Sequence, residues 1–359
     1  METHDLKFRR GITSGKRNKI RDQYLKLVNI RKKQFEKLYK PVMQLAKRFN
    51  KELKPVVLRK DEKTLAELRT KTRREIGLAL LKDRNPVIHD AEKIKSALTR
   101  FKAHFRKEIK NHAALLAIKR RYNGEVRKEF ENIQSAFTVL DDLVIADLPT
   151  LEIDPAFGAI FKPPYDFSEE NDINAGFASV SVPQIDLQSG FISYRFFMEH
   201  EAPNWFNDPR GISAYVGVGV SFIMPRAGVL KVTLTMQSTL ARLRARITDN
   251  FGWSDGNVQI SAGVYMNVLH PNNVSVNELM MTNLNLSTGG DDVQSFINNL
   301  PSEIPYMIAL TSTGAFAAGE TLQIIVGTVV KATSRVDDMT SELSATVSWQ
   351  VKRVFVQVI

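Results

Sequence analysis

Three arginines in the second half of the chain are spaced so that they can act together on one anionic group. Arg242, Arg244 and Arg246 alternate with apolar residues. Residues two apart on a β-strand share one face, so the three guanidinium groups would lie side by side. Guanidinium groups bind carboxylate, phosphate and sulfate through paired hydrogen bonds. We therefore predict an interaction patch at these arginines, with ion pairing to acids of neighbouring strands as the alternative.

The first 140 residues hold a much larger excess of basic residues. They contain 38 Lys and Arg against 16 Asp and Glu, a net charge of +22, whereas 12 Lys and Arg against 23 Asp and Glu give residues 141–359 a net charge of −11. Such one-sided charge is typical of a surface that binds nucleic acid or an acidic protein. A solvated helix surface, or neutralisation by the acidic half of the same chain, would also explain it. The predicted polyanion-binding residues are Arg31, Lys32, Lys33, Arg73, Arg74, Arg106, Lys107, Lys110, Lys119, Arg120 and Arg121.

Four aromatic residues lie in two polar segments that are predicted to be loops. The segments are 198–211 and 249–257, and their aromatic residues are Trp205, Phe206, Phe251 and Trp253. Aromatic rings in loops on a rigid β-scaffold are suited to stacking on a glycan. The alternative is that these rings close the open ends of a β-sandwich.

The chain shows no established catalytic or metal-binding motif. His200 lies between Glu199 and Glu201, but adjacent residues of a strand do not point to one centre. The sequence has no GxSxG, HExxH or phosphate-binding loop, and it has no cysteine. We therefore expect no enzyme activity, no cofactor and no metal site.

The basic residues are carried by segments with helical periodicity. An apolar stripe runs from Ile20 to Phe49 across Pro41, where we predict a kink or two abutting helices. A weaker element is predicted at about Glu62–Lys82. A further stripe runs from Ile94 to Leu116, and Asn123-Gly124 then predicts a helix end. The stripe that resumes at Val126 predicts an antiparallel helical hairpin.

Beyond residue 140 the periodicity changes from that of a helix to that of a strand. Residues 141–176 are acidic and rich in proline, which predicts a linker or lead-in. Apolar residues then alternate in many short segments, such as Val216–Phe222 and Leu230–Met236. Gly217 and Gly219 would permit another element to approach closely, and Asp292–Leu300 is predicted to be a short helical insertion. The expected fold is multi-domain α + β: a basic helical bundle or hairpin (1–140), the lead-in (141–176) and an antiparallel, jelly-roll-like β-sandwich (177–359).

This layout resembles that of many viral coat proteins, in which a basic N-terminal segment precedes a jelly-roll-like domain. Here the basic segment is long and helical rather than a short arm. The sequence favours a non-enzymatic binding or assembly protein, such as a component of a virus, phage or injection particle. Its expected partners are nucleic acid or an acidic protein surface, within a homo-oligomer or larger assembly, and a glycan or an anionic membrane is also compatible.

Two other functions remain open from the sequence. Ser/Thr-rich alternation in residues 311–349 is compatible with a cytolytic or insecticidal toxin that has a membrane-active segment and a receptor-binding sandwich. An enzyme with a convergent site would need His200 or His270 in a pocket. The N-terminus lacks the apolar stretch of a secretory signal, and no apolar run approaches the ~20 residues of a membrane helix. We expect a protein made in soluble form in the cytoplasm, and its final location, in a particle or after release, is left open.

Overall fold

The computed structural model of the chain combines one long N-terminal helix with a mainly antiparallel β-architecture. Helix α1 spans Ser14–Leu53 and helix α2 spans His112–Ser135. The structure describes residues 3–56, 63, 67, 71, 96, 99, 100, 103, 107, 112–135, 156–175, 180–201, 209–249, 255–272, 274–289, 293–300, 305–336 and 339–359. The strands within these residues are β1 (Thr3–Phe8), β2 (Gly158–Phe161), β3 (Phe167–Ala175), β4 (Val180–Asp186), β5 (Phe191–Glu201), β6 (Arg210–Ile223), β7 (Gly228–Asp249), β8 (Asp255–Leu269), β9 (Val274–Gly289), β10 (Val293–Leu300), β11 (Pro305–Phe316), β12 (Thr321–Val336) and β13 (Met339–Val358).

The described strands pair antiparallel in two sheets. Sheet 1 has the order β1-β3-β6-β12-β8-β9. Sheet 2 has the order β10-β7-β13-β5-β4, and in addition β11 pairs with β7 and β2 pairs with β13. The strands predicted at Val216–Phe222 and Leu230–Met236 are confirmed, because these residues lie in β6 and β7, but β6 is buried on both faces rather than half-buried. Segments 3–8 and 158–175, which the sequence assigned to the helical region and the lead-in, contribute strands to both sheets.

The two sheets enclose the larger hydrophobic core. Val218 and Val264 of sheet 1 belong to the same cluster as Leu234 and Trp349 of sheet 2. This arrangement follows from the period-two pattern, because one face of each strand is apolar and must be buried against another layer.

A second core lies on the opposite face of sheet 1, where the helices pack. Phe35 and Tyr39 of α1 join Tyr215 and Ile325 of sheet 1 in this cluster, together with Tyr122 of α2. Sheet 1 is thus covered on both faces, which explains why β6 and β12 are buried along almost their entire length.

Two glycines of β6 make room for aromatic rings beneath α1. A Cβ atom on Gly217 would collide with the hydroxyl of Tyr265, and one on Gly219 would collide with the ring of Phe167. The close approach predicted from these glycines is therefore present, and the approaching groups are side chains of neighbouring strands.

The helix end predicted at Asn123-Gly124 is wrong. Helix α2 continues through both residues. Tyr122 and Val126 on either side of this pair are buried in the helix–sheet core, and the Tyr122 ring stacks on Phe49 of α1 with 4.0 Å between centroids. Tertiary packing on both sides overrides the weak local preference to stop. The chain therefore does not turn back at this position, as the predicted hairpin requires.

The helical insertion predicted at Asp292–Leu300 is also wrong, because residues 293–300 form strand β10. This strand pairs with β7 from Val293↔Thr248 to Leu300↔Ala241. The apolar residues have helical spacing, but hydrogen bonding to the long edge of β7 decides the outcome. At Pro41, α1 continues as one helix, since Tyr39 and Val42 pack in the same core on both sides.

Some predicted elements lie outside the described residues. These are most of the element at 62–82, most of the stripe from Ile94 to Ile109 and all of the 141–155 segment. Among the helices that the structure describes, none combines the length and the apolar character needed to cross a membrane.

Candidate functional site

Arg31 fixes helix α1 on sheet 1 through a buried ion pair. Its Nη1 and Nη2 atoms donate to the two carboxylate oxygens of Glu169 at 3.1 and 3.0 Å. Both side chains have no solvent exposure. The guanidinium also lies 3.7 Å from the centroid of the Tyr215 ring and donates to Asn171 Oδ1 at 3.3 Å. Burial opposes the charge of Arg31, but the attraction of Glu169 outweighs it and raises the Arg31 pKa.

A polar groove opens beside this ion pair, between the two helices and sheet 1. Its cavity has a volume of about 570 Å³ and is lined by Arg31, Phe35, Tyr215, Glu278 and Lys331, among others. The Tyr215 hydroxyl donates to Glu278 Oε1 at 2.8 Å, and Lys331 forms an ion pair with the same carboxylate. Burial is the strongest single influence and acts to raise the Glu278 pKa, yet Lys331, Tyr215 and Arg31 together outweigh it and the net shift is downward.

Helix α1 also carries a row of exposed lysines at seven-residue intervals. The row consists of Lys19, Lys26, Lys33, Lys40, Lys47 and Lys54, and all of these side chains are exposed. Seven residues advance an α-helix by about 10.5 Å and bring the side chain back to within ~20° of the same direction. The row therefore extends over about 52 Å and winds by about 100° around α1. Near its start, Lys26 donates to the Pro271 carbonyl oxygen after β8, and Lys33 lines the same cleft. We call it the lysine row.

Few acids balance the lysine row. Residues 14–53 contain 13 Lys and Arg against 3 Asp and Glu. Among the side chains that the structure describes, Arg48 pairs with Glu125 and Glu52 pairs with Arg121, which joins α1 to α2. Of the acids of α1, Glu52 is engaged in this way, and Asp22 and Glu36 are exposed. The outer face of α1 consequently keeps a strong positive charge.

The structure corrects the prediction for Arg31. This residue is not available to a polyanion, because it is buried against Glu169. Lys33 is exposed and belongs to the lysine row, Lys32 is half-buried, and Lys107, Arg120 and Arg121 are exposed. Arg73, Arg74, Arg106 and Lys110 lie outside the described residues. Lys119 lies in α2, where its side chain is not among those described.

Most of the lysine row was missed by the sequence prediction, which followed runs of adjacent basic residues. The signal was nevertheless present as a period. Lys19, Lys26, Lys40, Lys47 and Lys54 stand at the same heptad position as Lys33. Adjacent residues of a helix point about 100° apart, so a run of basic residues spreads around the helix while a heptad concentrates them on one side.

The predicted arginine patch lies on the face of β7 that points away from the core of the two sheets. Arg242 and Arg244 are exposed, and they alternate with buried Leu243 and Ala245 as the pattern predicted. Arg246 is half-buried, and its Nη1 lies 3.5 Å from Glu342 Oε1. The pairing of β13 with both β5 and β7 places Arg195 in line with Arg242, with Thr346 between them. The sequence prediction missed Arg195.

The remaining predicted residues have separate outcomes. Trp205, Phe206, Phe251 and Trp253 lie outside the described residues. His200 is buried, and its Nδ1 atom lies 2.9 Å from the Ser334 hydroxyl. Burial, together with Arg210, lowers the His200 pKa to about 3, so the ring is neutral at pH 7.

Comparison with known proteins gives only weak similarities. No family model matches the chain, and no curated protein matches it. The carbohydrate-binding module TmCBM61, solved in complex with β-1,4-galactotriose, is 9% identical with a TM-score of 0.12, over 46% of this chain and 87% of that one. A structure of infectious bursal disease virus, Gt strain, is 12% identical with a TM-score of 0.10, over 51% of this chain and 42% of that one. Particles with T=1 symmetry derived from infectious bursal virus give 11% identity and a TM-score of 0.10, over 50% and 40% of the two chains.

The chain spans less than half the length of the two viral chains that it matches. At these TM-scores, none of the three similarities carries an argument about function.

Proposed function

We propose that this is a non-enzymatic binding and assembly protein that holds a nucleic acid along the outer face of helix α1. The observation that carries the proposal is the lysine row, with six exposed lysines at regular intervals along α1, of which Lys26 also donates to the Pro271 carbonyl oxygen after β8. The two sheets, in the jelly-roll-like arrangement that the sequence favours, form the rigid support of this face. Such a function fits a component of a virus, a phage or a similar particle.

The charge of the lysine row exceeds what the packing of α1 needs. Sheet 1 holds the helix through Arg31 and Glu169 on the buried side, and Asp166 binds Arg9 and Lys16 near the start of α1. Lysine is a strongly hydrated point charge that attracts phosphate without selecting a base. The expected mode of binding is therefore sequence-independent contact with phosphates.

The salt dependence of binding tests the proposal quantitatively. Each phosphate contact contributes a slope of about −0.9 for duplex DNA, and about −0.7 for a single strand, to log K against log salt concentration. Six lysines thus predict a total slope of about −5 for a duplex and −4 for a single strand. Fluorescence anisotropy with a labelled 30-base-pair DNA duplex and with 30-nucleotide single-stranded DNA and RNA, from 50 to 300 mM NaCl, measures both slopes.

A matched pair of variants locates the contacts. The triple variant K33Q/K40Q/K47Q is expected to reduce the magnitude of the slope by about 2 to 3, because three contacts are lost. The control K7Q/K231Q/K352Q removes the same charge from exposed lysines on strands. It should retain the wild-type slope. Equal losses in the two variants, or a wild-type slope near zero, would contradict the assignment to the lysine row.

A further inference from the structure

The outer face of sheet 2 carries a second charged surface, on the side of the molecule opposite to α1. Strand β13 runs through its centre, with β5 on one side and β7 on the other. In one row across these strands, Thr346 lies between Arg195 and Arg242. In the next row, Ser344 lies between Phe197 and Arg244. We call these six residues the arginine trough.

The arginine trough has a floor of short side chains and walls of long ones. Thr346 and Ser344 of β13 form the floor, and β5 and β7 stand about 10 Å apart on either side of it. Arg195, Arg242 and Arg244 are exposed, and Phe197 retains 49% of its surface. The width between the walls suits one extended polypeptide segment lying along β13, whose acidic side chains reach the guanidinium groups on both sides.

The composition of this surface points to a protein rather than a nucleic acid. The charged residues of the arginine trough are arginines, and exposed Phe197, Val182 and Leu240 lie on the same face, whereas exposed Lys231 and Lys352 lie farther along β7 and β13. Arginine and aromatic residues are enriched at protein–protein interfaces, where lysine is depleted. The lysine row of α1 has the opposite composition.

One end of the arginine trough is closed by acids. Glu199 and Glu342 form the row beyond Ser344, and Glu342 holds Arg246 at 3.5 Å. Arg246 is thus partly neutralised by its own chain, which separates it from Arg242 and Arg244. With two carboxylates and one guanidinium, this row has a net negative charge that would oppose a uniformly anionic polymer running past it, whereas a short acidic segment of a protein would stop before it.

We infer that the arginine trough docks an acidic, partly apolar segment of a partner protein in extended conformation. The carboxylates of the segment bind Arg195, Arg242 and Arg244 through bidentate hydrogen bonds. An apolar side chain of the segment packs on Phe197. This inference is independent of the proposed function of the lysine row, because it concerns a different face and a different class of partner.

A synthetic peptide tests the inference on the full chain. The probe is a labelled 12-residue peptide of four Asp-Glu-Leu repeats, measured by anisotropy at 50 mM NaCl. Its neutral counterpart, with Asn-Gln-Leu repeats, should bind at least tenfold more weakly. The variant R195Q/R242Q should weaken binding of the acidic peptide at least tenfold, whereas K231Q/K352Q, which removes two exposed cations elsewhere on β7 and β13, should retain it. F197S should weaken binding severalfold with little change in the salt slope.

Three results would overturn the inference. One is no binding of the acidic peptide to the wild-type chain at millimolar concentration. Another is equal binding by R195Q/R242Q, with thermal melts showing that the variant is folded. The third is displacement of the peptide by 12-nucleotide single-stranded DNA in the K33Q/K40Q/K47Q background, because the trough would then bind phosphates.

Discussion

At the scale of single residues, position on the helix decides what a basic side chain does. Arg31 and Lys33 belong to the same basic run, but they point about 200° apart around α1. Arg31 therefore enters the core and pairs with Glu169, while Lys33 faces solvent. The sequence shows that this run is basic, but the angle around the helix determines which of its basic side chains packs against sheet 1.

Removing only one partner of the Arg31–Glu169 pair should lower the stability of the fold strongly. The variant R31M leaves the Glu169 carboxylate buried without its cation, and we expect a loss of about 3 to 5 kcal/mol in the free energy of unfolding. The double variant R31M/E169L removes both charges and should recover most of this loss. Urea denaturation measures both values. A single variant that is as stable as the wild type would show that water or another cation replaces Arg31.

Buried His200 should make the stability depend on pH. Its ordinary pKa of 6.5 is lowered to about 3 by burial and Arg210, so between these values the unfolded chain binds a proton that the folded chain does not. The free energy of unfolding therefore falls as the pH decreases, by up to about 1.4 kcal/mol per pH unit from this group. The variant H200Q removes this contribution. Its denaturation curve from pH 6.5 to 4.5 should be flatter than that of the wild type, and parallel curves would exclude His200 as the source.

At the scale of elements, strands and charged rows with a repeating pattern could be predicted from the sequence. Features that depend on a partner far away in the sequence could not. Strands β6 and β7 were predicted from the alternation of apolar residues, although the second buried face of β6 follows only from the packing of the helices. Strand β3 was not predicted, because its sequence FSEENDINA resembles a polar loop. Its acids are explained only by the fold, because Glu169 forms an ion pair with Arg31, which lies 138 residues away in the sequence. The lysine row was visible as a period, whereas Arg195 joins Arg242 only through strand pairing.

Replacing Gly217 of β6 and Gly124 of α2 by alanine, one at a time, tests this packing. In G217A the new methyl group would collide with Tyr265 and the carbonyl of Val326, so we expect a loss of about 1 to 3 kcal/mol. In G124A the methyl group meets no atom within 4 Å, and α2 should gain about 0.5 to 1 kcal/mol from helix propensity. Chemical denaturation of the two variants gives both values. A neutral G217A would mean that Tyr265 moves aside freely.

At the scale of the whole molecule, the two proposed surfaces face in opposite directions. Helix α1 lies on the outer face of sheet 1 and the arginine trough lies on the outer face of sheet 2, with the two sheets between them. Sheets pack about 10 Å apart, and the helix adds a further ~10 Å, so the separation exceeds the Debye length of about 8 Å at physiological salt. Charges bound on one side are therefore largely screened from the other.

Both ligands should consequently bind at the same time. We expect a saturating concentration of the acidic peptide to change the dissociation constant of the labelled DNA by less than twofold at 150 mM NaCl. The reciprocal experiment, with DNA at saturation and the peptide as the labelled species, is the control. Competition in either direction would indicate that the two ligands share one surface.

The packing of α1 on sheet 1 also has a consequence for folding. During synthesis α1 leaves the ribosome well before β3, β6, β8 and β12 exist, so the apolar stripe that includes Phe35 and Tyr39 has no sheet to cover it. Pairings of high sequence separation fold slowly, and an uncovered amphipathic helix is open to aggregation in that interval. The lysines on its other side supply mutual repulsion between nascent chains. The positive charge that we assign to nucleic-acid binding would thus also protect α1 from aggregation until sheet 1 has formed.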